Sequence, residues 1–402
     1  MRLHRNLVFT VIDALNDIYN EGLYADKVVQ ASLKRDKRWG ARDRKFVAET
    51  IYDMVRWKRL YNEIAGTKDH YTRENIWKNF AVWAVLNGIE LPDWPQLGEV
   101  PERRIRGGLD KFKNDRKIYE SIPDWLDEMG VRELGEKKWA TELKSLNEQA
   151  QVVLRTNTLK IDRDSLQKVL ENEEILTKAL KDHPDALVLN ERQNVFKSEA
   201  FKKGYFEVQD ASSQLVAPYL EVKPGMRVVD TCAGAGGKTL HLAAQMENKG
   251  QLIAMDIYAG KLAQLKKRAK RAGVHNVNMR VIEGTKTIKK LKNSADRVLI
   301  DAPCSGIGVL KRNPDSKWKL QEEFVENIKQ TQAQILSSYS SMLKVNGLLV
   351  YATCSIMPSE NEEQVEKFLA EHKNFKLHHD LKVSPSESGF DGFYMALLER
   401  TE

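Results

Sequence analysis

From about residue 206 onward, short apolar runs alternate with helical stretches, and this alternation constrains the fold more than any other feature of the chain. The runs are Met226 to Asp230, Gln251 to Asp256, Val277 to Ile282, Asp296 to Asp301 and Leu348 to Thr353, followed by Phe375 to His379 and Phe393 to Leu398. Helical patterns separate the first five, which predicts a mainly parallel, doubly wound α/β sheet. In such sheets ligands bind outside the carboxyl ends of the strands.

Three chemical features stand at those ends. The first is the Gly-rich turn Thr231-Cys232-Ala233-Gly234-Ala235-Gly236-Gly237-Lys238-Thr239, which follows a strand and opens a helix. Missing Cβ atoms let a ligand approach the backbone, and the helix start offers free N–H groups. Asp256 ends the next strand, about 20 residues on, where a carboxylate can accept from ribose hydroxyls. Gly234, Gly236 and Gly237 do not have dinucleotide spacing. A phosphate loop ending in Gly237-Lys238-Thr239 would need a glycine at 232, which is Cys. S-adenosylmethionine has no phosphate and fits this turn best of the three.

The second and third features are thiols. Cys304 lies in Asp301-Ala302-Pro303-Cys304-Ser305, and Cys354 follows Leu348 to Thr353. Either one alone reads equally well as a small buried hydrophobe. Together they suit a reaction that needs a soft nucleophile able to leave again. Methylation at C5 of a pyrimidine is such a reaction, because a thiolate adding at C6 makes C5 nucleophilic. A redox pair would want Cys-x-x-Cys, and a zinc site needs more ligands at closer spacing, so no metal is expected.

The remaining chain is organised differently. Residues 1–140 read as a helical accessory domain, with apolar positions at helical spacing in Leu7 to Ile18, Phe46 to Val55 and Ile76 to Leu86. Pro92, Pro95, Gly98, Pro101 and then Gly107-Gly108 interrupt it, and a short helix follows near Pro123 to Met129. Residues 145–205 read as a small α+β unit, with strands at Val152 to Asn157 and Ala186 to Leu189 and a helix at Asp162 to Leu170. Residues 206–402 form the third region. The net charge is +7, clustered in Lys34 to Lys45 and Lys261 to Arg271, and such clusters attract phosphate backbones or are simply solvated. The three Cys and the absence of an export signal lead us to expect a cytoplasmic protein. No run approaches the length of a membrane span.

Asp301 to Gly306 with Arg312-Asn313-Pro314-Asp315, and Tyr351 to Ser355 with Pro358, Glu360 and Asn361, resemble the RNA 5-methylcytosine methyltransferases of the RsmB and NOP/Sun kind. Val208 to Gln214 and Cys232 to Lys238 match the same family, and the resemblance covers about 150 to 400. It implies a Rossmann-like class I S-adenosylmethionine methyltransferase sheet, preceded by an RNA-recognition-like domain and, in bacterial members, a NusB-like helical domain. It implies that Cys354 attacks C6, that Cys304 assists release, and that Asp301 sits between cofactor and cytosine. Cys232, Ala233, Gly234, Ala235, Gly236, Gly237, Lys238, Asp256 and Asp301 would hold S-adenosylmethionine, with Cys232 a packed rather than reactive thiol. Arg155, Asn157, Lys160, Lys311 and Arg312 would meet RNA. The implied partner is ribosomal RNA or a ribosomal-subunit precursor, bound by a monomer.

The chain departs from the family pattern twice. Gly234-Ala235 replaces Ala-Pro in the turn. Glu283-Gly284-Thr285 stands where Gly-Asp would contact the adenine amino group. Thr285 makes an RNA-binding assembly factor without turnover the rival reading.

Overall fold

The computed structural model describes residues 3–67, 69–98 and 100–402. The chain forms two compact units, Met1–Glu148 with Leu310–Leu320, and Gln149–Val309 with Gln321–Glu402.

The first unit is helical. Leu7, Val8, Val11, Ile12 and Leu15 recur every three or four residues, and all are buried on one side of the helix Arg5–Tyr19. Ala41–Arg56 and Arg73–Leu86 pack into the same core, the latter capped by Thr72 Oγ1 accepting from Asn75 N–H. Gly107 and Gly108 do not break a helix but lie inside Glu102–Phe112, contrary to expectation. The segment Leu310–Leu320 returns from the later part of the chain to this unit. Ala25 N–H donates to Asp315 Oδ2 (3.0 Å), Trp318 Nε1 to Val55 O (2.7 Å) and Lys317 Nζ to Asn147 Oδ1 (3.0 Å). The sequence reading, which ran the third region unbroken from 206 to 402, missed this excursion.

The second unit contains two sheets. The small one has strands β1 (Val153–Thr156), β2 (Thr177–Ala179), β3 (Ala186–Leu189) and β4 (Phe206–Val208) in the antiparallel order β2-β3-β1-β4. The helix Arg163–Asn172 buries Leu166 and Leu170 in the small core with Leu154, Leu187 and Phe206. Because β4 pairs with β1, this fold extends past the expected boundary at 205.

The large sheet has β5 (Arg227–Asp230), β6 (Gln251–Asp256), β7 (Val277–Val281), β8 (Ala295–Asp301), β9 (Leu343–Thr353), β10 (Phe375–Val383) and β11 (Phe393–Arg400). Their order is β10-β11-β9-β8-β5-β6-β7. The five strands β5 to β9 are parallel, and β11 and β10 add antiparallel pairs at one edge. Successive residues of the central strands, such as Val228 and Val229, are buried in cores on opposite faces. That is why these strands read as continuous apolar runs rather than alternating ones. The chain runs outward from β5 to β6 and β7, then returns to β8 on the other side of β5. This reversal opens a crevice at the carboxyl ends of β5 and β8. Among the described residues, no helix is long and apolar enough to cross a membrane.

Candidate functional site

A cavity of about 460 Å³ occupies this crevice. Its floor is the Gly-rich turn between β5 and the helix Gly237–Gln245. Gly236 has φ 90°, and a Cβ there would fall 2.1 Å from Leu265 Cδ1, so the turn and the neighbouring helix admit only glycine at this approach. Two arginines grip the outer carbonyls of the turn. Arg155 Nη1 donates to Gly237 O (2.6 Å) and Arg268 Nη1 to Ala235 O (2.8 Å).

Asp256, at the end of β6, ties the turn to its own strand end. Its Oδ2 accepts from Gly234 N–H and its Oδ1 from Tyr258 N–H, both at 2.8 Å. A carboxylate offers about four lone-pair sites, so acceptor capacity is left for hydroxyls in the cavity. Ile257 and Tyr258 follow, are 58% and 57% exposed, and form an apolar rim with Ile282 and Tyr339. An open apolar rim beside a buried carboxylate matches the two ends of an adenosine group, so the residues fit S-adenosylmethionine. Neither Glu283 nor Thr285 lines the cavity. Both are exposed, and Thr285 opens the short helix Thr285–Lys289. The residue this strand end supplies is Ile282.

Lys238 and Asp301 face each other across the cavity, Nζ to Oδ2 at 2.7 Å. The ammonium also lies 4.9 Å from the centre of the Phe393 ring. Burial pulls the Lys238 pKa down, but the Asp301 carboxylate and the nearby Cys354 outweigh it, so the net shift is upward and the charge is held. Behind them Asp230 is wholly buried, with its pKa raised to about 7 by burial and only partly lowered by the bond from Thr239 Oγ1 (2.7 Å). Cys232 lines the cavity, but burial raises its thiol pKa to about 12, so it remains protonated.

The two remaining thiols meet. Cys304 Sγ lies 3.1 Å from Cys354 Sγ, and Cys354 N–H donates to Cys304 Sγ at 3.3 Å. The hydrogen bond with Cys354, then burial, push the Cys304 thiol well above its ordinary range. The Cys304 thiol therefore holds its proton near neutral pH. The loops carrying them pack backbone to backbone. Gly308 N–H donates to Cys354 O (3.0 Å), Gly392 N–H donates to Gly308 O (2.7 Å), and a Cβ on Gly308 would lie 2.3 Å from Gly392 O. Asn361 clasps both neighbours of Cys354, accepting from Thr353 Oγ1 and donating to Ser355 O at 3.1 Å. Among the residues to which the sequence assigned no role are Glu360, Asn361, Gln332, Tyr339 and Phe393; Glu360 and Asn361 had a signal there, as parts of a quoted motif.

The residues expected to meet RNA are placed differently. Arg155 and Asn157 are buried and bonded inside the unit, Arg155 Nη1 to Gly237 O and Gln209 Oε1, Asn157 Nδ2 to Gly204 O and Ala272 O at 2.8 Å each. Lys160 Nζ donates to Lys203 O and Arg271 O, both at 2.7 Å. These three residues join the small sheet to the catalytic sheet. Lys311 is buried beside Glu148, Nζ to Oε2 at 3.6 Å, and its carbonyl accepts from Arg56 Nη2. Arg312 is half-buried in the same segment. Both belong to the helical unit.

Comparison with known proteins gives consistent findings. The family described as 16S rRNA methyltransferase RsmB/F matches residues 217–399, and the RsmF/B-like ferredoxin-like domain matches residues 122–196. The ribosomal RNA small subunit methyltransferase B of Vibrio vulnificus is 30% identical, covering 98% of this chain and 97% of that protein. The crystal structure of PH0851 covers all of both chains with a TM-score of 0.83 at 26% identity. That of NSun6 from Pyrococcus horikoshii, solved with the S-adenosylmethionine analogue SFG, shares the fold with a TM-score of 0.64 at 22% identity, covering 70% of this chain and 98% of that one.

Proposed function

The chain belongs to the RsmB/F family of 16S rRNA methyltransferases, and from that premise we propose that it methylates C5 of a cytosine in ribosomal RNA through a covalent Cys354–C6 adduct. The observation that carries this reading is the 3.1 Å approach of Cys304 and Cys354 at the edge of the cofactor cavity. S-adenosylmethionine, the cofactor of this fold and family, supplies the methyl group.

The chain's own residues do the rest. The Cys354 thiolate forms a bond to C6, and the C5–C6 electron pair moves to C5, which takes the methyl group. A base, water included, then takes the C5 proton, the electron pair of that C–H bond restores the C5–C6 double bond, and the C6–S bond breaks, returning the thiolate to Cys354. Cys304 keeps its own proton and assists release by donating a hydrogen bond to the departing Cys354 sulfur, 3.1 Å away. Asp301, held by Lys238, presents the free edge of its carboxylate to the cytosine amine or N3 side. The exposed faces of the helical and ferredoxin-like domains serve the RNA, the protein works as a cytoplasmic monomer, and the substrate is ribosomal RNA or a subunit precursor with the base unstacked.

The rival reading, an assembly factor without turnover, drew on Thr285. Thr285 lies outside the cavity lining and no carboxylate takes its place at this strand end, so adenine would be held by the apolar rim and backbone groups. Incubation with methyl-labelled S-adenosylmethionine and ribosomal RNA decides between them. Label recovered as 5-methylcytosine supports the enzyme, and RNA binding with no label in RNA supports the assembly factor.

A further inference from the structure

Glu360 takes no part in the chemistry above, yet it is fully buried and both its carboxylate oxygens are engaged. Oε1 accepts from the Ser305 hydroxyl at 2.5 Å and the Ser355 hydroxyl at 2.6 Å. Oε2 accepts from Ser305 N–H at 2.8 Å and Gln332 Nε2 at 3.1 Å. Ser305 directly follows Cys304, and Ser355 directly follows Cys354. One carboxylate thus fastens the residue after each thiol, on two loops that leave neighbouring strands. Gln332 extends the grip, since its amide also donates to Pro303 O (2.9 Å), directly before Cys304. The carbonyl of Glu360 itself accepts from Tyr351 Oη (2.8 Å) in β9, which fixes the carboxylate relative to the strand that carries Cys354.

A buried carboxylate is costly unless donors surround it. Four donors converge on its two oxygens and offset that cost. Apolar packing of similar volume would hold two loops together as well. What it would not supply is a negative charge next to one thiol and a common anchor for both.

We propose that Glu360 is a positioning residue for the methyl-transfer reaction, setting the approach of Cys354 to Cys304 by holding Ser305 and Ser355 on a single carboxylate. This rests on the reading of the two thiols given above. The charged and titratable groups facing the pair are Lys238 and Asp301 from the cavity and Glu360 and Tyr351 from the buried side. Of these, Glu360 bears directly on Cys304, where its charge opposes a thiolate. The carboxylate thereby acts unequally on the two thiols: it anchors both loops, and its charge helps keep the proton on Cys304.

The test is a comparison of Glu360→Gln with wild type, each probed by iodoacetamide near pH 8 with the labelled cysteines identified by mass spectrometry. Wild type should label Cys354 in preference to Cys304. In Glu360→Gln that preference should fall about tenfold, the change in thiolate ratio given by one pK unit, while S-adenosylhomocysteine still binds. With RNA, the same variant should lose kcat with little change in KM and accumulate the protein–RNA adduct, because release needs the second thiol in place. The Ser305→Ala and Ser355→Ala variants each remove one strut and should shift the labelling ratio in the same direction, so the inference remains testable if Glu360→Gln does not fold. Wild-type labelling ratios in the folded variants would overturn it. Labelling needs no methyl transfer, so a shifted ratio in a protein that never methylates RNA would sustain the positioning role and reject the proposed activity instead.

Discussion

Lys238 Nζ sits 2.7 Å from Asp301 Oδ2, joining the turn after β5 to the end of β8 across the reversal point of the sheet. The pair has little exposure, with 12% of the lysine side chain and 27% of the aspartate reached by solvent. It sets the charge of the cavity, which a sulfonium cofactor and a cytosine must share. Lys238→Met leaves Asp301 without its partner and Asp230 without a compensating charge. Loss of a hydrogen bond to a charged group corresponds to about 1.5–3 kcal/mol. S-adenosylhomocysteine affinity, measured by titration calorimetry, should fall by at most a corresponding factor of about 10 to 150.

Arg155 separates an architectural role from an RNA-binding one. Its guanidinium is buried, donating to Gly237 O in the cofactor turn and to Gln209. Arg155→Met should lower thermal stability and weaken S-adenosylhomocysteine binding. The slope of RNA affinity against salt should not change, because no phosphate contact is lost. A salt slope reduced by about one would return Arg155 to the RNA interface.

Gly308 is fixed by the close approach of three backbone segments. Gly308→Ala forces the Cys304 loop away from Gly392 and from Cys354 O. Overpacking of this kind costs about 1–3 kcal/mol, visible as a lower midpoint in urea, and methyl transfer should fall further than stability does because the thiols are displaced.

Asp230 gives a pH signature. Its folded pKa is raised to about 7, against an ordinary value of 3.8. Between those values the folded state holds the proton and the unfolded state does not, so this group favours folding at low pH and loses that contribution as pH rises to about 7. Buried His241, lowered to about 4, acts in the opposite direction, since its contribution is present above 6.5 and is lost as pH falls. Asp230→Asn keeps an acceptor for Thr239 but cannot ionise. Its melting temperature relative to wild type should rise from pH 5 to about pH 7 and level off above that.

The sequence carried most of the fold where local patterns were strong. The seven strands of the large sheet fall within a few residues of their expected limits, because each central one is apolar on both faces and ends at a turn. The weak points were short elements and long-range choices. β2 and β4 have three residues each, too few for a period. The excursion Leu310–Leu320 is polar, and only tertiary bonds such as Trp318 to Val55 and Lys317 to Asn147 assign it to the helical unit. The same holds in the site. Asp301, Cys304 and Cys354 could be found from their motifs, since strand ends concentrate chemistry. That Arg155, Asn157 and Lys311 are buried and that Lys160 is tied to backbone carbonyls could not, because a polar donor looks the same in sequence whether it meets a phosphate or a carbonyl.

The central claim is the division of labour between Cys354 and Cys304. The most direct measurement is the covalent protein–RNA adduct, read as a slow-migrating band in a denaturing gel after incubation with ribosomal RNA and S-adenosylmethionine. Cys304→Ala should accumulate the band, since attack proceeds and release does not. Cys354→Ala should show no band and form no 5-methylcytosine. A band in Cys354→Ala, with none in Cys304→Ala, would contradict the assignment.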